Sequence, residues 1–174
     1  VGEQTVRWGI YDGGTMIDNG VSASKTKFFW MTGTSAATSA GLLSALASGS
    51  LNYSTVGGFT KPITESGNIG GSVTASNITI SKIGGIPTLT NYNVGVTDAV
   101  GRNWTGYLTA SQTLMSFQKG GVSNLSVSCS GACMSIGTGN AQGVAIGNPT
   151  PVGMISSYKL TAGTSSVVGS VLSR

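Results

Sequence analysis

The chain has 174 residues, is 8% charged with nine Lys and Arg against five Asp and Glu, contains no His, and carries 28 Gly with a 39% hydrophobic share. That length suits one domain over residues 1–174 with a single core, and so little charge excludes a disordered chain. The cations Arg7, Lys25, Lys27, Lys61, Lys82, Arg102, Lys119, Lys159 and Arg174 are scattered, which argues against a nucleic-acid partner, since phosphate tracking needs them clustered.

In chain order, residues 5–11 alternate with Val6, Trp8 and Ile10 on one face, so a first strand is expected that ends at Asp12-Gly13-Gly14. Lys27-Phe28-Phe29-Trp30-Met31-Thr32 is the bulkiest apolar stretch. As a strand it puts Phe28 and Trp30 on one face and Phe29 and Met31 on the other. Two apolar faces need two covers, and the second is expected to be the helix that follows or, preferentially, a neighbouring subunit. That helix is read over residues 39–47, which are rich in Ala and Leu, with Ser35 or Thr38 as its cap.

Strands are predicted at 49–56, 72–83, 88–97, 103–109, 122–129, 142–146, 152–160 and 167–172, with a hairpin turn at Asp98-Ala99-Val100-Gly101. The apolar set of 72–83 changes phase between Val73/Ala75 and Ile78/Ile80, the mark of a β-bulge. Residues 137–143, Gly-Thr-Gly-Asn-Ala-Gln-Gly, are read as a flexible turn. The fold class is therefore all-β: an antiparallel up-and-down barrel, or a sandwich, of about eight to ten short strands with one short helix. No apolar run reaches the roughly 20 residues of a membrane helix, so no transmembrane segment is expected.

Cys129 and Cys133 enclose Ser-Gly-Ala, a spacing that closes a small loop if Gly131 supplies the turn. An intrachain disulfide is expected, the alternative being two free thiols. A disulfide implies an oxidising compartment, and the chain reads as a processed, exported product.

Gly33-Thr34-Ser35-Ala36-Ala37-Thr38 resembles the nucleophile motif of subtilisin-like proteases, but Ser39 stands where that motif has Pro, and a chain without His lacks the base such a serine needs. Residues 137–143 imitate a dinucleotide fingerprint with one residue too many, and no carboxylate follows at the required distance. Glu3, Asp12, Asp18, Glu65 and Asp98 lie far apart beside Gly, Asn or Ser, which favours turn and surface roles over a catalytic pair or a calcium loop. Asn52, Asn77, Asn103 and Asn124 each open an Asn-x-Ser/Thr triplet and are read as ordinary strand-edge polar residues. No catalytic residue, cofactor or metal site is predicted.

The order Val6-Arg7-Trp8-Gly9, Phe29-Trp30-Met31-Thr32-Gly33-Thr34, Gly49-Ser50-Leu51-Asn52-Tyr53, Gly57-Gly58, Cys129-Ser130-Gly131-Ala132-Cys133 and Gly139 to Gly147 resembles the small β-barrel domain attached to FecR-type proteins of Proteobacteria. That domain is similar in turn to the barrel of transferrin-binding-protein-like surface lipoproteins. The resemblance spans nearly the whole chain and implies a meander barrel on the outer cell surface of a Gram-negative bacterium. The chain departs from it at Val144, Ala145 and Ile146, where aromatics are expected. The functional expectation is an exported, non-enzymatic structural subunit that forms or decorates an extracellular filament or surface layer with itself as partner. Val6, Trp8, Ile10, Phe28, Phe29, Trp30 and Met31 are its candidate interface, through addition of the N-terminal strand to a neighbour. The alternative is a surface binding module for a small ligand or a host protein.

Overall fold

The computed structural model describes residues 6–12, 15–18, 21–24 and 27–174. Four short strands come first, β1 (Val6–Asp12), β2 (Thr15–Asp18), β3 (Val21–Ser24) and β4 (Lys27–Gly33), followed by helix α1 (Ser39–Ala45) and a 3-10 turn at Leu46–Ser48. Then come β5 (Leu51–Tyr53), β6 (Val56–Phe59), β7 (Ile63–Thr64), β8 (Gly71–Ile83), β9 (Ile86–Asp98), β10 (Asn103–Leu108) and β11 (Gln112–Thr113). Helix α2 (Leu114–Lys119) leads into β12 (Val122–Ser130), β13 (Ser135–Ile146), β14 (Gly153–Ala162) and β15 (Ser165–Ser173).

Strands β8, β9, β10, β12, β13, β14 and β15 pair in chain order, each antiparallel to the next. The ends of this meander meet through residues 51–59. Strand β5 pairs with β8 from Leu51↔Ile80 to Tyr53↔Ile78, whereas β6 pairs with β15 from Val171↔Phe59 to Ser173↔Val56. Between them Thr55 and Arg174 exchange two backbone hydrogen bonds of 2.8 Å, and the hydroxyls of Ser76 and Ser173 bond across the same seam. One bent segment thus serves both edges and curls the sheet into a barrel, pairing part of each edge strand. Strand β8 is bulged, but not between Ala75 and Ile78 as expected: its register shifts earlier, between Val73 and Ala75, which leaves Ala75 exposed, and again between Thr79 and Ile80.

Alternation decides what fills the interior. Ile78 and Ile80, Tyr92, Val94 and Val96, Leu125 and Val127, and Leu160 are all buried inward positions. Small residues stand opposite the large ones: a Cβ on Gly106 would come within 2.6 Å of Leu160, and one on Gly139 within 3.1 Å. Likewise a Cβ on Gly143 would lie 2.9 Å from the ring of Phe117.

This packing corrects the reading of residues 137–143, which are part of β13 and not a turn. Their glycines admit neighbouring side chains and the backbone of β14, and the ladder runs unbroken from Gly137↔Ala162 to Ile146↔Gly153.

One end of the barrel is closed by helices. Thr38 accepts a hydrogen bond from the Gly41 N–H at 3.0 Å and caps α1, which buries Leu42 and leads into buried Leu46. Helix α2 is a second short helix, too short to show a period in sequence. Thr113 caps it, and Leu114 and Phe117 enter the core, the latter with its ring centroid 5.8 Å from that of Tyr92. Both helices adjoin the β8–β9 turn; the β9–β10 and β12–β13 turns lie at the opposite end.

Candidate assembly interface

The pairs Val6↔Gly33 to Asp12↔Lys27 and Thr15↔Ser24 to Asp18↔Val21 keep a single register. Strands β1 and β4 form one two-stranded ladder and β2 and β3 a second that follows the same register, and the two together are called the arm. Its base rests on the outside of the barrel wall. Val6 and Met31 pack with Val144 against Ile146, Ile155 and Leu172, a second apolar cluster formed by outward residues of β13, β14 and β15. Trp8 crosses Gly58 of β6, where a Cβ would lie 2.9 Å from its ring.

Alternation turns Trp30 the other way, over Gly9 of the partner strand, again with 2.9 Å left for a Cβ. Both tryptophans remain 42% exposed. Met31 is thus covered by the chain's own barrel wall and not by α1. In the register Ile10 lies opposite Phe29 and Tyr11 opposite Phe28, but the side chains of Ile10, Phe28 and Phe29 fall outside the described residues. Among the described residues, β2 and β3 make their substantial contacts with each other alone.

Cys129 and Cys133 form a disulfide with their Cα atoms 5.7 Å apart. Buried Cys129 lies next to the end of β12, so the bond ties the β12–β13 turn to the barrel rim.

At the same rim lies an ionic cluster that sequence alone does not bring together. Buried Arg102 donates from Nε to Asp98 Oδ2 at 2.6 Å and from Nη1 and Nη2 to the two oxygens of Glu65 at 2.8 and 3.0 Å. Asp98 also accepts from the N–H groups of Val100 and Arg102 and from Trp104 Nε1, and the guanidinium lies 5.3 Å from the Trp104 ring centroid. Glu65 accepts from the Ser166 N–H at 2.9 Å. The Arg102 hydrogen bonds hold the Glu65 carboxyl at about 2, while burial and backbone donors act as smaller influences. Burial opposes the charge of Asp98, but donors from Trp104, Arg102 and Val100 outweigh it and keep its pKa low. With its donors and acceptors matched, this cluster ties the end of β7 to β9, β10 and β15.

Other candidate chemistry resolves into structure. Ser35 belongs to the loop before α1, its carbonyl accepting from the Gly147 N–H at 3.1 Å. Asn52 accepts from Thr79, Asn77 from Asn91 and Asn103 from Thr97 at 2.9, 3.1 and 2.8 Å, as cross-strand pairs of the outer wall. Asn124 accepts from Gln112 at 2.9 Å. Inside the barrel, Tyr92 and Ser156 share a hydrogen bond, and burial pushes the hydroxyls of Tyr53 and Tyr92 up to about 12. Among the described residues no three His, Cys, Asp or Glu gather as a metal site, and no helix is long and apolar enough to cross a membrane.

No family model, curated protein or solved structure matches the chain.

Proposed function

We propose that the protein is an exported structural subunit that assembles with copies of itself into an extracellular filament or surface layer, using the N-terminal arm as its connector. The observation that carries this reading is the arm itself: its base is packed on the barrel, while β2 and β3 follow the same register and, among the described residues, make substantial contacts with each other alone. A two-stranded ribbon in water is marginal alone. Its edges present backbone donors and acceptors to which another sheet can add. An arm that reaches from one copy to a different surface of the next makes an unsymmetrical contact, and such contacts run on as open filaments. The disulfide accords with an oxidising compartment, and the likeness to FecR-associated barrels suggests the outer surface of a Gram-negative cell. The alternative, a binding module with a ligand inside the barrel, has less support because large side chains such as Trp104, Tyr92 and Phe117 occupy the interior.

The test is to replace residues 13–26 by Asn-Gly, which joins the paired residues Asp12 and Lys27 through a tight hairpin turn. Sedimentation velocity should show the intact chain as a concentration-dependent polymer and the short-armed variant as a folded monomer. Polymers of equal size from both would remove the arm from the assembly.

A further inference from the structure

The two ends of the barrel carry unlike apolar features. At the disulfide end, Met134 is 86% and Ile136 81% exposed, and Val100 stands out from the neighbouring β9–β10 turn. The two turns adjoin, because Asn103 pairs with Ser130 and a Cβ on Gly131 would lie 3.6 Å from the Gly101 carbonyl. No charged residue occurs between Ser130 and Ile136. The tip is also held in shape: the disulfide ties its root, Gly131 turns at φ 90°, and Met134 is kept at φ 22°, a conformation that an L residue rarely adopts. Turn tips are ordinarily polar, so a stiff projection of this composition calls for a partner.

At the helical end the surface is concave. Leu42 and Leu43 of α1, Ile86 and Pro87 of β9, and Leu114 and Met115 of α2 line an apolar groove of about 230 Å³. Its only polar lining comes from Ser39 and Gln118, and Met115 on its rim is 62% exposed. The groove has room for a few side chains and not for a helix about 10 Å across. Strand β9, 13 residues long, carries Ile86 at one end and the turn with Val100 beyond the other, so groove and projection lie about 40 Å apart on one molecule.

From this pairing of an uncharged projection with an uncharged groove at the opposite end, we infer that copies stack head to tail, with Met134 and Ile136 of one barrel seated between α1, α2 and the β8–β9 turn of the next. The occupant of the groove is a second copy of this chain. The contact joins unlike surfaces and therefore does not close on itself, so it propagates. This inference rests on the self-assembly reading and adds a contact distinct from the arm, at the same junction between copies, with neither contact strong enough to hold the polymer without the other.

Two variants test it, both changed only at exposed positions: a tip variant, Met134→Glu with Ile136→Glu, and a groove variant, Leu43→Glu with Met115→Glu. Circular dichroism verifies that each folds as the parent does. Each alone should lose association at least tenfold, because a buried carboxylate faces apolar side chains in every contact. Mixed in equal amounts they should form dimers that grow no further, since the intact tip of one meets the intact groove of the other and the arm alone does not hold a third copy. Wild-type assembly by either variant, a mixture that stays monomeric, or capture of the tip by lipid vesicles without end-to-end dimers would overturn the inference. If the tip and groove variants polymerise normally while the short-armed variant does not, only the stacking contact falls. A wild-type chain that is monomeric at all concentrations defeats both.

Discussion

Arg102 is buried at the barrel rim with one carboxylate on each side, and its value to the fold depends on that arrangement being complete. A buried ion pair gives little net stability, yet removing one partner strands the other in a poor solvent. Arg102→Ala should therefore cost roughly 3 to 5 kcal/mol, read by urea denaturation, because it leaves Asp98 charged and buried. Glu65 sets a pH dependence. Its folded pKa of about 2 lies below the ordinary carboxylate value of 4.5, so its stabilisation is complete above that value and disappears as pH falls toward 2. Glu65→Gln should lower stability at pH 7 by roughly 1 kcal/mol, since the carboxylate is a third exposed, and flatten the decline between pH 5 and 2. An unchanged acid profile would show that Asp98 carries the effect alone. Asp98 as a turn residue could be read from Asp-Ala-Val-Gly, but Glu65 meets Arg102 from 37 positions away, and only the closure of the barrel joins them.

Strands with large alternating side chains were legible in the sequence because their period is written in bulk: β9 through Tyr92, Val94 and Val96, and β12 through Leu125, Val127 and Cys129. The first part of β13 was not, since Gly137, Thr138, Gly139 and Asn140 are turn formers by composition, and only 142–146 read as strand. What makes them a strand is the space Leu160 and the backbone of β14 occupy beside the glycines, a demand that comes from the far wall. Gly106→Val should accordingly destabilise by about 1 to 3 kcal/mol in thermal unfolding, the ordinary cost of forcing volume into a filled interior. At the end of β12, Cys129→Ala with Cys133→Ala should lose about 2 kcal/mol and keep the fold, as expected of a loop this short. Failure of that double variant to fold would make the disulfide part of the core.

For the molecule as a whole, one short stretch, residues 51–59, joins both edges of the meander and the arm leaves the closed barrel along its outer wall. The sequence showed the two-sided apolarity of residues 28–31 but not its cause. Bulk alone cannot distinguish a core strand from a ribbon whose Met31 lies on the outside of its own barrel while Trp30 covers a partner glycine. Electron microscopy of the full-length protein in negative stain tests the central claim most directly. Fibres or sheets of regular width, absent when residues 13–26 are replaced, are the predicted result; discrete single barrels at every concentration would contradict it.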